Sequence, residues 1–180
     1  MIFSLRELID IIAMTLILGF IFKDLFKRTN IGVQKGAFVF ACLVTAPAII
    51  LHELGHKFVA LFFGLQATFT AAYTWLGIGV LLKLLGTGLI FFVPAYVRIS
   101  GTNGILPLDY SVIAFAGPAV NLILFGVSWL VLRKKKLKKQ NYLFWYITKQ
   151  INLFLFIFNM LPIPMFDGFK VYQGIWQTIF

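Results

Sequence analysis

Apolar residues in this chain come in long blocks. The first runs from about Leu8 to Phe22, the second from about Gly36 to Phe63, the fourth from Asp109 to Leu132 and the fifth from Tyr142 to about Leu161. A bilayer-spanning helix needs about 20 mostly apolar residues, so these blocks predict about four transmembrane helices. Asp109 is placed to cap the fourth, and prolines end the fifth. The third block, Trp75 to Val93, is apolar but broken by Gly77, Gly79, Gly86 and Gly88. The stretch from Gly168 to Phe180 is too short to span and is expected at the interface. Two short stretches alternate instead. In Gln66–Thr70, polar Gln66, Thr68 and Thr70 flank Ala67 and Phe69, and in Ala95–Ser100, Tyr96, Arg98 and Ser100 alternate with Ala95, Val97 and Ile99. A period of two predicts strands with two unlike faces.

Composition agrees. Hydrophobic residues make up 61% and charged residues 12%, with mean hydropathy +0.94; a soluble domain carries about a quarter charged residues. The 180 residues suffice for one domain, without internal repeat or low-complexity linker. The net charge of +10 does not indicate nucleic acid, because the basic residues flank apolar blocks. The tract Arg133-Lys134-Lys135-Lys136-Leu137-Lys138-Lys139 reads as a topogenic, lipid-facing run. The single cysteine, Cys42, excludes an intramolecular disulfide and a cysteine zinc cluster. Glu7 and Asp10 interrupt the start of the first block, and no small-residue cleavage site precedes Lys23-Asp24, so this block is expected to be a retained span rather than a signal peptide.

One segment carries chemistry. His52-Glu53-Leu54-Gly55-His56 fits the HExxH pattern. Residues four apart share a helical face, so both imidazoles can reach one ion. Zinc suits two imidazoles and a carboxylate, with one position left for water. The ion brings the pKa of such a water towards neutrality. Glu53, offset around the helix, is placed to take its proton and pass it to a leaving amine. Ionisable residues within an apolar block are costly, which favours function over ordinary hydrogen bonding.

The third ligand should be a carboxylate. Glu7, Asp10 and Asp24 sit at the ends of the first block, where Arg6 and Asp10 read as a surface i,i+4 pair, and Asp109 reads as a cap. Asp167 differs. It follows Asn159-Met160-Leu161-Pro162-Ile163-Pro164 and precedes Gly168. Two prolines break the helix, irregular backbone at membrane depth is tolerated where it lines a wet cavity, and Gly168 permits a tight turn after the carboxylate. The bland alternative is a helix-stop loop with a solvated Asp.

HELGH in an apolar helix, followed by Asn159-Met160-Leu161-Pro162-Ile163-Pro164-Met165-Phe166-Asp167-Gly168, resembles the site-2 protease family of intramembrane metalloproteases. That segment matches every fixed position of N-x-x-P-x-x-x-x-D-G, and Gly117-Pro118-Ala119-Val120-Asn121 resembles the family's G-P-x-x-N element. The resemblance covers about residues 36–168. It implies that His52, His56 and Asp167 bind zinc, that Glu53 is the general base, and that Asn121 and Asn159 line or brace the site. From sequence alone, Asn121 is equally a polar residue joining helices. The resemblance further implies cleavage of membrane-anchored proteins, with strands beside the site pairing to unwound substrate; Gln66–Thr70 and Ala95–Ser100 are the candidates. Two departures are visible: no PDZ or CBS regulatory domain, and little chain after Asp167-Gly168.

To share one ion, His52, His56 and Asp167 must lie at one depth, so an even number of crossings separates them. The glycine-broken third block is therefore expected to fold back as a re-entrant element. The Phe22–Lys35 loop and the basic tract then share the face opposite the site. The positive-inside tendency makes that face cytoplasmic, whereas the resemblance places zinc near the cytoplasmic side, and orientation stays open.

The sequence thus predicts an all-α polytopic membrane protein with about four transmembrane helices, a re-entrant element and a small β-sheet near the active site. It forms a single domain over 1–180 with its core at about 36–168. The function expected is zinc-dependent intramembrane endoproteolysis of a membrane-anchored protein in the cell membrane, with one Zn2+ ion, the lipid bilayer as surroundings and no nucleic-acid partner. The alternatives are another membrane zinc hydrolase, a non-enzymatic membrane-protein binder or chaperone with a structural metal site, and a transporter, for which the paired repeats are missing.

Overall fold

The computed structural model describes residues 2–27, 36–87, 93–134 and 136–180. Most of the Phe22–Lys35 loop, part of the third block including Gly88, and Lys135 of the basic tract lie outside the described residues. In chain order the elements are α1 (Leu5–Lys27), α2 (Ala37–Phe62), β1 (Gln66–Ala71), α3 (Tyr73–Leu84), β2 (Ala95–Ser100), α4 (Pro107–Leu132), α5 (Lys139–Asn159) and α6 (Asp167–Ile179). The chain is mainly helical with one two-stranded sheet. Both expected strands form, the first, second, fourth and fifth apolar blocks are helices, and the described part of the third is helical to Leu84.

Among the described residues two helices, α2 and α4, are long and apolar enough to cross a membrane. α1 and α5 have 23 and 21 residues, about 34 and 31 Å at the helical rise, against a hydrocarbon core of about 30 Å. Both are more polar: α1 carries charge at each end, and α5 carries Lys149, Gln150 and Asn152 mid-helix.

The start of α1 reverses the soluble pattern. Leu8, Ile9, Ile12 and Leu16 are exposed, while Glu7 and Asp10 are only 3% exposed. Met14 and Leu18 continue the inward face and pack with Phe69 of β1 and Leu76 of α3. Exposed apolar residues over buried carboxylates fit a lipid surrounding. The expected Arg6–Asp10 surface pair is therefore corrected. Arg6 is exposed, whereas Asp10 turns inward, accepting hydrogen bonds from the Ala71 N–H at 3.1 Å and the Tyr73 hydroxyl at 2.6 Å.

Glu7 does similar work one turn earlier. Ser4 and Glu7 form a capping box: the Ser4 N–H donates to Glu7 Oε2 at 2.8 Å and the Glu7 N–H to Ser4 Oγ at 3.3 Å. Glu7 Oε1 is left to accept from the Phe69 N–H at 2.7 Å and from the buried Lys57 ammonium.

The strands pair antiparallel, from Gln66 opposite Ser100 to Ala71 opposite Ala95. The chain therefore leaves β1 and rejoins β2 at one rung, and the residues between make no net advance. Alternate residues of an antiparallel strand direct their backbone groups to the partner. Since Phe69 and Ala71 donate to α1, their partners Val97 and Ala95, and likewise Ile99, direct theirs away from β1. α1 covers the outer edge of β1, and among the described residues no strand pairs with the outer edge of β2.

α4 runs antiparallel to α2, so that Asn121 lies beside Ala48 and Ile113 beside His56. A Cβ on Gly55 would sit 2.8 Å from the Ala116 carbonyl oxygen, which is how close the two helices come. Asp109 does not cap α4. Leu106 holds the cap position, Pro107 opens the helix, and Asp109 lies in its first turn.

Candidate metal centre

Three distant segments meet at one point. α2 presents His52 and His56 on one face near its C-terminal end. α5 stops at Asn159, before Pro162 and Pro164, and α6 begins at Asp167. α6 is then fixed beside the first turns of α4 by the Ser111 hydroxyl, 3.1 Å from the Val171 carbonyl oxygen. The Tyr172 hydroxyl ties it back to the Met160 carbonyl oxygen at 2.9 Å. Gly168 is not a turn residue as the sequence suggested: it lies within α6, and a Cβ there would approach the Met160 carbonyl carbon to 2.5 Å. Its role is close approach between α6 and the end of α5.

Asp167 Oδ2 lies 3.1 Å from His52 Nε2 and 3.2 Å from His56 Nε2, and the two Nε2 atoms are 3.1 Å apart. The far sides of the rings are also engaged. His52 Nδ1 is 2.5 Å from Asn121 Oδ1, and His56 Nδ1 is 2.8 Å from the Ile113 carbonyl oxygen. A carbonyl oxygen only accepts, so His56 Nδ1 carries the proton. The Asn121 amide is oriented by its NH2 group, which donates to the Ala48 carbonyl oxygen at 3.0 Å and to Asn152 Oδ1 at 2.8 Å. Its oxygen therefore faces His52, whose Nδ1 is the donor.

With each Nδ1 engaged, the Nε2 atoms are the ones left to act as ligands, and a carboxylate oxygen faces them. A cation among the three satisfies all of them, whereas one proton serves a single contact. Zinc–nitrogen and zinc–oxygen distances near 2.0–2.1 Å give a tetrahedral edge of about 3.3 Å, close to the observed triangle. These residues form a group able to hold a metal ion, and the Nδ1 partners fix tautomer and ring orientation as metal-ligating histidines require.

Gly117 is part of the same fit. A Cβ at this position would lie 2.7 Å from His52 Nε2 and fall on His56 Nε2. Glu53 lines a cavity of about 760 Å³ together with His52, His56, Asn159 and Asp167. The remaining wall is largely apolar and includes Ala95, Val97 and Ile99 of β2. Asn121 is fully buried behind the rings.

The sequence reading missed Asn152, which is fully buried and holds Asn121. Its signal was present: Asn152 and Asn159 are seven residues apart, on one face of an otherwise apolar helix. The Ile113 carbonyl is a backbone group, and no residue type announces it.

Residues 133–180 match peptidase family M50. The chain is 37% identical, over 98% of its length and 90% of the relative's, to a protein of Methanocaldococcus jannaschii whose name assigns it as a zinc metalloprotease. A protein of Synechocystis with the same kind of name is 29% identical over 75% of this chain, which spans 31% of that longer relative. No solved structure matches the chain. With near full-length similarity to one relative and a family match over the segment holding Asp167, the chain belongs to peptidase family M50, the site-2 protease family of metalloproteases.

Proposed function

We propose that this protein is an intramembrane endopeptidase that uses one zinc ion, held by His52, His56 and Asp167, to cut a membrane-anchored protein. The observation that carries the reading is the convergence of two imidazole Nε2 atoms and one carboxylate oxygen within about 3.2 Å of each other, beside a large apolar cavity. When bound, the ion supplies a Lewis acid that lowers the pKa of water and polarises a peptide carbonyl. Glu53, directly after His52, accepts the proton of the attacking water on a carboxylate oxygen and returns it to the leaving nitrogen. Asn121 holds the His52 ring in position, and Asn159 lines the space where a substrate backbone would lie.

The open edge of β2 supports binding of substrate as an added strand. Ala95, Val97 and Ile99 direct backbone groups away from β1, with no strand partner among the described residues, and an unwound peptide can pair with them. Its scissile bond would then be presented towards Glu53. The reading places the protein in the cell membrane as a single multi-pass domain, with α1, α2, α4 and α5 crossing and the residues between β1 and β2 folding back. The return to one rung at Ala71 and Ala95 supports that path.

The test is cleavage of a single-span reporter peptide by purified protein in detergent or bilayers. Wild type should cleave; Glu53→Gln and chelator-treated protein should not. Cleavage that survives Glu53→Gln removes the mechanism. Zinc binding without cleavage of any single-span substrate favours a binder.

A further inference from the structure

Glu7 is not part of the cavity wall, yet it is tied to both parts that the reaction needs. Its Oε1 meets the ammonium of Lys57, the residue after His56, and the N–H of Phe69 in β1. Lys57 is 1% exposed and Glu7 3%. The Phe3 ring lies 4.4 Å from the Lys57 ammonium and closes the remaining side. The other carboxylate oxygen is engaged by Ser4 in the capping box. One side chain thus joins the start of α1, the helix carrying both histidines, and the inner strand of the sheet.

That arrangement is costly. A buried ion pair stabilises little against its desolvation, and an apolar residue pair would fill the space. What a carboxylate supplies here, and an apolar pair does not, is a fixed acceptor for a strand N–H at a set height along α2. Asp10 repeats the contact two residues further, at Ala71. The sheet is thereby registered against α1, which packs along α2, at two successive outward-facing N–H groups, and Lys57 of α2 balances the Glu7 charge.

We infer that Glu7 is a positioning residue for proteolysis: through its hydrogen bond from the Phe69 N–H, with Lys57 balancing its charge, it sets where the substrate-accepting edge of β2 lies relative to His52, Glu53 and His56. The inference rests on the proposed function, since it requires a substrate strand on β2. Glu7 touches neither substrate nor metal, so its loss acts on substrate placement while the metal group stays intact.

Two charge-balanced double variants separate the ion pair from the strand contact. Glu7→Gln with Lys57→Met removes both charges but keeps an oxygen for the Phe69 N–H. Glu7→Leu with Lys57→Met removes that oxygen as well. In cleavage of a doubly labelled single-span peptide, the Gln/Met protein is expected near wild type. The Leu/Met protein is expected to lose about tenfold in kcat/KM, mainly through KM, as fits one lost charge-assisted hydrogen bond. Zinc content should stay at the wild-type level in both, and amide exchange at Phe69 should rise only in the Leu/Met protein. Equal kcat/KM in the two proteins overturns the inference. Glu7→Asp keeps the charge and shortens the reach by one methylene, so it serves if the Leu/Met protein does not fold. Its KM should rise with kcat held, and a wild-type KM there also overturns the inference. Failure of the proteolysis reading looks different: the wild-type protein itself then cleaves nothing.

Discussion

Asn121 on α4 accepts a hydrogen bond from His52 Nδ1 on α2 across 2.5 Å, and its own NH2 group is held by Ala48 and Asn152. Three helices therefore determine which nitrogen of one imidazole is free. Outer-shell partners of this kind typically change metal affinity 10–100-fold when removed.

Asn121→Ala should accordingly weaken zinc binding by about 10–100-fold, with cleavage falling at limiting zinc and recovering partly when zinc is raised. Competition against a chromogenic chelator measures the first effect. An affinity unchanged from wild type would show that His52 keeps its tautomer without this partner.

Gly117→Ala tests the space around the rings. The added methyl would fall among the Nε2 atoms of His52 and His56, so zinc content should drop steeply and cleavage with it. Gly126, further along the same helix, has open space around it, and Gly126→Ala should leave both unchanged. Metal analysis of the two purified proteins, alongside the wild type, decides the point.

The edge of β2 can be probed with proline. Val97 directs its N–H away from β1, and a strand tolerates proline where the missing N–H faces outward. Val97→Pro should raise KM for a single-span peptide several-fold while the sheet persists. Arg98→Pro, one residue on, removes a group that faces β1 and should disrupt the pairing itself. Equal behaviour of the two, in kinetics and in amide exchange along β1, would show that the outer edge does not receive substrate.

Metal removal should act on stability as well as activity. Without a cation, two imidazole nitrogens and Asp167 Oδ2 face one another at 3.1–3.2 Å. A ligand that binds only the folded state stabilises it by mass action. Chelation should thus lower the thermal midpoint and abolish cleavage, and added zinc should restore both. In Asp167→Ala protein the midpoint should no longer respond to zinc.

Much of this was legible in the residues. The spacing of His52 and His56 needs only helical geometry, and the break at Pro162 and Pro164 marked the segment that delivers Asp167. The alternation at Gln66–Thr70 and Ala95–Ser100 gave both strands. Glu7 and Asp10 were harder, because charged residues at the end of an apolar block look like a solvated flank. On α1 the sense inverts: its exposed face is apolar, and the carboxylates turn inward to strand N–H groups that no local pattern reveals. Gly168 shows a similar limit: glycine beside a carboxylate suggests a turn, and only the packed fold shows that the backbone of Met160 occupies the space of its missing side chain. The four-span expectation met its limit in α1 and α5, whose lengths fit a bilayer while their charged and amide residues dilute the apolar signal.

The meeting of Ala71 with Ala95 separates two kinds of freedom along this polypeptide. α3 itself is anchored, with Tyr73 on Asp10 and Leu76 in the core, so it is the return from α3 to β2 that can change length without moving His52, His56 or Asp167. That return can therefore be varied, by evolution or by design, independently of the residues that gather around His52.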